Sequence, residues 1–261
     1  MYVVRFRWAV CQLDELGDCL NLPELRETLA SLPLTLDDTY ARILCNIHKK
    51  RSQHALKILQ WLAYSARPLQ IEELVEVIAV DIEGNPRFDP ERRFPESRDI
   101  LTICSSLITT TAEATDGHHG KTTEEQVRLA HFSVKEYLVS ERIQTGPASW
   151  YSIREIPANM SIAETCLAYL LQFEYPNSLT SLTTEEYPLA RYAAEYWTQH
   201  AQVSEKDASA VRRLITELFL SKKDAYVNWI RLFNPDEPWK EPDITNRLST
   251  VAFPLCEKYG N

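Results

Sequence analysis

The residue that first invites chemistry is His131, within Arg128-Leu129-Ala130-His131-Phe132-Ser133-Val134-Lys135-Glu136. An imidazole titrates near physiological pH, and its N–H suits an anionic oxygen. The structural alternative is that His131 shares a strand face with Val127 and Leu129 and is a buried, backbone-bonded histidine. Ser133 and Glu136 have the spacing of a helix-opening capping box. Cys45 and His48 stand one helical turn apart, and His118-His119 could join them. Zinc sites use tighter paired spacing, so no metal is expected. Phosphate chemistry lacks its frame. The chain has six glycines, at 17, 84, 117, 120, 146 and 260, where average usage of about 7% would give roughly eighteen. Gly117 and Gly120 are close together, but in a polar stretch with no strand-loop-helix frame, and no P-loop or dinucleotide fingerprint is present. A G-x-S-x-G nucleophile elbow is also missing. The expectation is a non-enzyme with no cofactor.

The elements that must position these residues are mostly helical. Phe6, Val10, Leu13, Leu16 and Leu20 recur at helical spacing and predict the apolar face of a first helix. Asn21 and Pro23 predict the start of a second helix, and Thr35-Leu36-Asp37-Asp38 the start of a third, with Tyr40, Ile43, Leu44 and Ile47 inward. The basic link His48-Lys49-Lys50-Arg51 precedes a helix from Ser52 to about Ala66. Arg67-Pro68-Leu69 is an extended connector, Ile71 to Ala79 a helix, and 80–98 a long loop with three prolines. A short helix is expected over about Asp99–Ser106.

The period then changes. Leu107-Ile108-Thr109-Thr110-Thr111 and the alternating 126–132 read as two strands around a polar loop, 112–124, followed by a helix from Ser133 to about Ile143. Helix, short strand, two helices and a hairpin give the order of a winged helix. After a loop over 144–158 the signals are again helical: Ile162–Phe173, Pro188–His200, Asp207–Leu220 and Ala225–Phe233. The fold class is therefore mainly α. It comprises a helical segment (1–50), a winged helix with one small β-hairpin (51–145), a C-terminal helical bundle (158–233) and a Pro-rich irregular tail (234–261).

A net charge of −9 and a pI near 5.3 give no general attraction for nucleic acid or anionic membrane. Arg5 and Arg7 interrupt any signal-peptide core, and no apolar run approaches the roughly 18 residues of a membrane span. Six thinly spread cysteines read as reduced, buried thiols, and the expected compartment is cytoplasmic.

Several stretches also resemble a known family. Phe6-Arg7-Trp8-Ala9-Val10-Cys11-Gln12-Leu13 and Leu32-Pro33-Leu34-Thr35-Leu36-Asp37-Asp38-Thr39-Tyr40-Ala41-Arg42-Ile43-Leu44 resemble the segment after the nucleotide-binding core of fungal-type NACHT–ankyrin proteins. Residues 54–143 resemble the winged-helix domain named after GPI inositol-deacylase, most clearly in Gln60-Trp61-Leu62-Ala63-Tyr64-Ser65-Ala66-Arg67-Pro68-Leu69 and in Arg128 to Leu138. Tyr187 to Trp197 resembles the helical segment that follows. The likeness spans roughly 5–200. It lacks the family's P-loop core before it and the ankyrin repeats after it, apart from a faint likeness in Ala252-Phe253-Pro254-Leu255.

The resemblance implies the regulatory middle of such a protein, as a fragment or degenerate copy. It implies that His131 contacts the phosphate of bound ADP when a nucleotide core is present. It places Phe6 beside the adenine, although the helical spacing of Phe6 with Val10 and Leu13 favours core packing. The expected partner is a protein: the nucleotide-binding domain of a full-length relative, or another not identified by sequence. No nucleic acid and no membrane are expected. The alternative is a winged-helix DNA-binding protein. Its groove-reading segment, Asp99–Ser106, carries no Lys or Arg, and Lys121 in the wing faces Glu113, Asp116, Glu124 and Glu125 in composition. Because the chain offers neither a backbone cradle nor a P-loop lysine, calorimetry with Mg-ATP is expected to show no heat beyond dilution. A micromolar dissociation constant would contradict this reading.

Overall fold

The computed structural model describes residues 2–117, 120–175, 178–180, 183–202 and 209–240, with side chains described outside 2–5, 113–124 and 183. The N-terminal segment is α1 (Tyr2–Gly17), α2 (Leu22–Ala30) and α3 (Leu36–Asn46). Its last two helices start where the sequence places their caps. Asn21 accepts from the Glu24 amide at 3.0 Å and Thr35 from the Asp38 amide at 3.1 Å, satisfying orphan helix donors.

A 3-10 turn, Lys49–Arg51, leads into α4 (Ser52–Tyr64), β1 (Leu69–Gln70) and α5 (Ile71–Ala79). The hairpin β2 (Ile108–Gly117) and β3 (Gly120–Leu129) follows, then α6 (Phe132–Leu138) and α7 (Glu141–Gln144). β3 lies between the other two strands, antiparallel to both, with Leu69 opposite Val127 and Ile108 opposite Leu129. This is a winged helix within a mainly α chain.

The wing is longer than the sequence suggested. Residues expected as a loop, 112–124, extend both strands, with pairing continuing to Gly117 opposite Gly120. Thr109, Thr110, Thr111, Thr115, Thr122 and Thr123 are β-branched, and that preference outweighs the polarity that read as loop. The helix expected near Asp99–Ser106 is instead two 3-10 turns, Ser97–Thr102 and Ser105–Leu107. A three-residue turn stacks positions i and i+3, which sets Ile100 and Ile103 on one buried edge. The helix expected to run from Ser133 to Ile143 breaks between α6 and α7, where the Ser140 hydroxyl donates to the Tyr137 carbonyl at 2.8 Å.

The C-terminal bundle holds α8 (Glu155–Leu170), α9 (Leu189–Gln202), α10 (Ser209–Thr216), a π-turn (Glu217–Ser221) and α11 (Lys223–Leu232). α8 begins inside the expected loop, because Pro157 falls in its first turn, where the missing N–H costs nothing. Asp207 and residues 252–256 lie outside the described residues.

One apolar core runs from Cys11 to Leu232, and α4 packs on α8 and α5 on α9. Two carboxylates of α5, Glu73 and Glu76, are buried at this junction, each 2% exposed. Glu73 takes two hydrogen bonds from Arg67 and one from the Gln70 amide at 2.8 Å, and Arg67 lies 5.1 Å from the centre of the Tyr192 ring on α9. Glu76 is held by Arg93 and by the Tyr169 hydroxyl of α8. Burial, then the Glu76 charge, raises the Tyr169 phenol well above its usual pKa and keeps it a donor.

A neutral relay completes the junction. Tyr192 Oη accepts from the Ala66 amide at 2.9 Å and meets His200 Nε2 at 2.9 Å, while His200 Nδ1 lies 2.7 Å from Asn159 Oδ1. Asn159 Oδ1 accepts, so Nδ1 carries the proton and Nε2 accepts from the phenol. Burial lowers the His200 pKa from 6.5 to about 4. The unfolded chain thus binds a proton that the native state refuses. The contribution is complete above about pH 6.5 and is lost as pH falls towards 4, amounting to about 3 kcal/mol. Urea unfolding at pH 7 and pH 4.5 is expected to show a larger loss in the native chain than in His200→Gln. Equal losses would contradict this assignment.

Candidate functional site

His131 lies where β3 gives way to α6, as the N-cap of that helix. The capping-box reading, with Ser133 as cap, is corrected: His131 Nδ1 accepts from the Ser133 amide at 3.2 Å and lies 2.6 Å from Ser133 Oγ. Ser133 is committed elsewhere, since its hydroxyl also meets Tyr40 Oη of α3 at 2.8 Å. A chain of bonds results, in which Tyr40 donates to Ser133 and Ser133 to His131. Arg7 of α1 lies close to the Tyr40 hydroxyl and donates to the Ser106 carbonyl.

The imidazole is half-buried. Burial, then the Arg7 charge, lowers its pKa below the usual 6.5. An accepting Nδ1 on a neutral ring puts the proton on Nε2. Nε2 is buried and has no hydrogen-bond partner, as is Nε of Arg7. Of the two readings of His131, the structure thus fills one nitrogen with a helix cap and leaves an N–H donor on the other. An unmet buried donor carries a free-energy cost that an arriving acceptor would relieve.

Beside this donor the surface is apolar. The His131 ring packs on Phe132 with centroids 4.2 Å apart, and Phe132 is 56% exposed. The expected orientation of α1 is corrected. Phe6, Val10 and Leu13, predicted to pack inward, are 71%, 44% and 67% exposed, and Leu20 is also exposed. α1 instead buries Cys11 and Gln12 against α3, with Gln12 donating to Thr39 Oγ1 at 2.9 Å and Trp8 to the Pro33 carbonyl at 3.1 Å. Hydropathy alone pointed to the wrong face because the Gln12 amide is buried through its bond to Thr39, although its Oε1 finds no partner.

The remaining candidates are dispersed. Cys45 is exposed, against the expectation of a buried thiol, and His48 Nδ1 accepts from the Lys50 amide at 3.2 Å in its own turn. Cys11, Cys104 and Cys166 are buried free thiols, and Cys19 is half-buried. His118, His119 and Cys256 lie outside the described residues. Among the described residues no group of three or more His, Cys, Asp or Glu is placed to hold a metal ion, and no helix is long and apolar enough to cross a membrane. The segment expected to read DNA, Asp99–Ser106, is 3-10 rather than α-helical, and Arg98 just before it is bound to Glu125 at 2.9 Å.

The fold thus contains a winged helix, and residues 40–150 match the family described as GPI inositol-deacylase, winged helix domain. The chain is also 38% identical over 232 residues to a Monascus ruber protein named azaphilone pigments biosynthesis cluster protein L. That match covers 88% of this chain and 48% of the relative, so the chain spans about half the relative's length. No solved structure matches.

Loss of the imidazole cap in His131→Ala is expected to destabilise the chain by about 1–2 kcal/mol, with His131→Asn, a cap-competent residue, recovering most of it. An alanine variant that melts unchanged would show that the cap contributes nothing.

Proposed function

We propose that the chain is a non-catalytic regulatory module that docks on the nucleotide-binding domain of a NACHT-type protein. The observation that carries this is the outward row Phe6, Val10 and Leu13 on α1, the helix whose Arg7 lies within electrostatic reach of His131, with Arg7 Nε and His131 Nε2 both unmet. An exposed apolar row together with buried, unpaired N–H groups suits a protein surface that brings an anionic oxygen with it. The resemblance of the first helix and of the His131 stretch to post-core segments of NACHT–ankyrin proteins supplies the partner class. In that setting His131 Nε2 meets an ADP phosphate and favours the closed state, because a contact made in one state shifts the balance towards it.

A non-catalytic role is supported by where the reactive groups of the interior are spent. Glu73, Glu76, Tyr169, Tyr192 and His200 are all bound to packing partners. Nothing in the described residues favours the DNA alternative, which needs a basic helix free to enter a groove.

The test supplies a purified NACHT-type nucleotide-binding core in trans, loaded with ADP. Phe6→Asp with Leu13→Asp is expected to weaken the complex by at least about tenfold, since two buried apolar contacts are lost. Leu220→Asp, an equally exposed leucine on the π-turn, is expected to leave it unchanged. No complex with the ADP-loaded core, or equal affinity for both variants, would overturn the proposal.

A further inference from the structure

A groove of about 660 Å³ runs between α4, the segment after α5, and the start of α8, and it is separate from the docking face. Lys57, Gln60, Asp81, Ile82, Trp150 and Ser161 line it. Trp150, one of the lining residues, is 61% exposed. Lys57 reaches in from α4, and its amine donates to the Val80 carbonyl at 2.8 Å, the group just past the end of α5.

Lysine ammonium groups are strongly hydrated, and this side chain is half-buried. Burial lowers its pKa from 10.5 to about 8, with Asp81 and Cys166 opposing the shift. At neutral pH its neutral, nucleophilic fraction is on the order of a hundredfold above that of an exposed lysine. Asp81, on the same groove and within electrostatic reach of the amine, is also paired with Arg92 at 3.5 Å. A lysine needed as a surface charge would sit outside such a pocket; a lysine needed as an amine sits inside one.

We propose that this groove is a carbonyl-binding site in which the Lys57 amine condenses with an aldehyde carried on an apolar body, while Trp150 covers that body. The nitrogen lone pair adds to the carbonyl carbon, and the C–O π pair becomes an alkoxide that takes a proton from nitrogen. The carbinolamine then loses its hydroxyl with the second nitrogen proton as water, leaving a C=N bond. One aldehyde and one amine give one imine and one water, with no oxidant or reductant. Before the addition, the Val80 carbonyl orients the amine by accepting one of its N–H protons.

Incubation of the full chain with cinnamaldehyde and cyanoborohydride at pH 7.4, read by peptide mass spectrometry, tests this. The adduct at Lys57 is expected to form at least about tenfold faster than at the exposed Lys49 and Lys50, to saturate with aldehyde, and to follow a pH midpoint near 8. Trp150→Ala removes an exposed side chain, so the fold is retained. It is expected to raise the half-saturating concentration while leaving the pH midpoint in place. Labelling of Lys57 no faster than of Lys49 and Lys50 would overturn the proposal. So would a rate that rises linearly with aldehyde and is indifferent to Trp150→Ala, for then Lys57 serves as a cap for the α5 carbonyl alone.

Discussion

The structure depends on two carboxylates placed one helical turn apart on α5 and taken out of water. Each buried charge costs several kcal/mol to desolvate, and its position is tenable while its partners are present. Arg67 and Arg93 supply the opposite charges, and aromatic rings shield both, Tyr192 and Tyr187 from the bundle and Phe88 from the winged helix itself. Tyr192 lies under Arg67; Phe88 and Tyr187 lie 5.3 and 6.0 Å from Arg93. Removing either arginine would strand a carboxylate in the core, an effect of about 3–5 kcal/mol. Both ion pairs lie within the winged helix, and the bundle completes them: Tyr169 donates to Glu76, and Tyr192 and Tyr187 cover the two arginines. The neutral Tyr192–His200–Asn159 relay adds direction without charge, and it fixes the start of β1 through the Ala66 amide.

This arrangement leaves function to the periphery. Unmet buried donors also occur at the Trp61 and Trp197 indoles, inside the core, whereas those at Arg7 and His131 belong to side chains next to the protein surface. They lie where α1, the end of β3 and the start of α6 converge, beside an apolar row that faces outward. The same residue joins structure and recognition. Nδ1 of His131 begins α6, and that bond decides which tautomer, and hence which donor, Nε2 presents.

Local rules reached far into this sequence. Side-chain caps at Asn21 and Thr35, the span of α5, and the change from helical to alternating period at Leu107 are all visible without a structure. The misreadings share a cause. The face that α1 buries is chosen by partners such as Thr39 and Pro33, which lie 25 to 27 residues away. The wing extends because strand pairing rewards threonines that composition alone assigns to a loop. His131 is the cap because Tyr40, 93 residues from Ser133, occupies that serine. The clamps on α5 were invisible for the same reason: Arg67 is six residues from Glu73, but Tyr169 is 93 from Glu76. The matched domain marks the frame, and long-range partners decide the site.

If the α5 carboxylates bind the winged helix and the bundle into one cooperative body, the two halves must open together. Native-state hydrogen exchange at increasing urea reads this directly, comparing slow amides of α4 and α5 with those of α9 and α11. The account predicts one shared opening free energy with one urea dependence for all four helices. Exchange of α9 and α11 through a separate, lower-energy opening, while α4 and α5 stay protected, would contradict it.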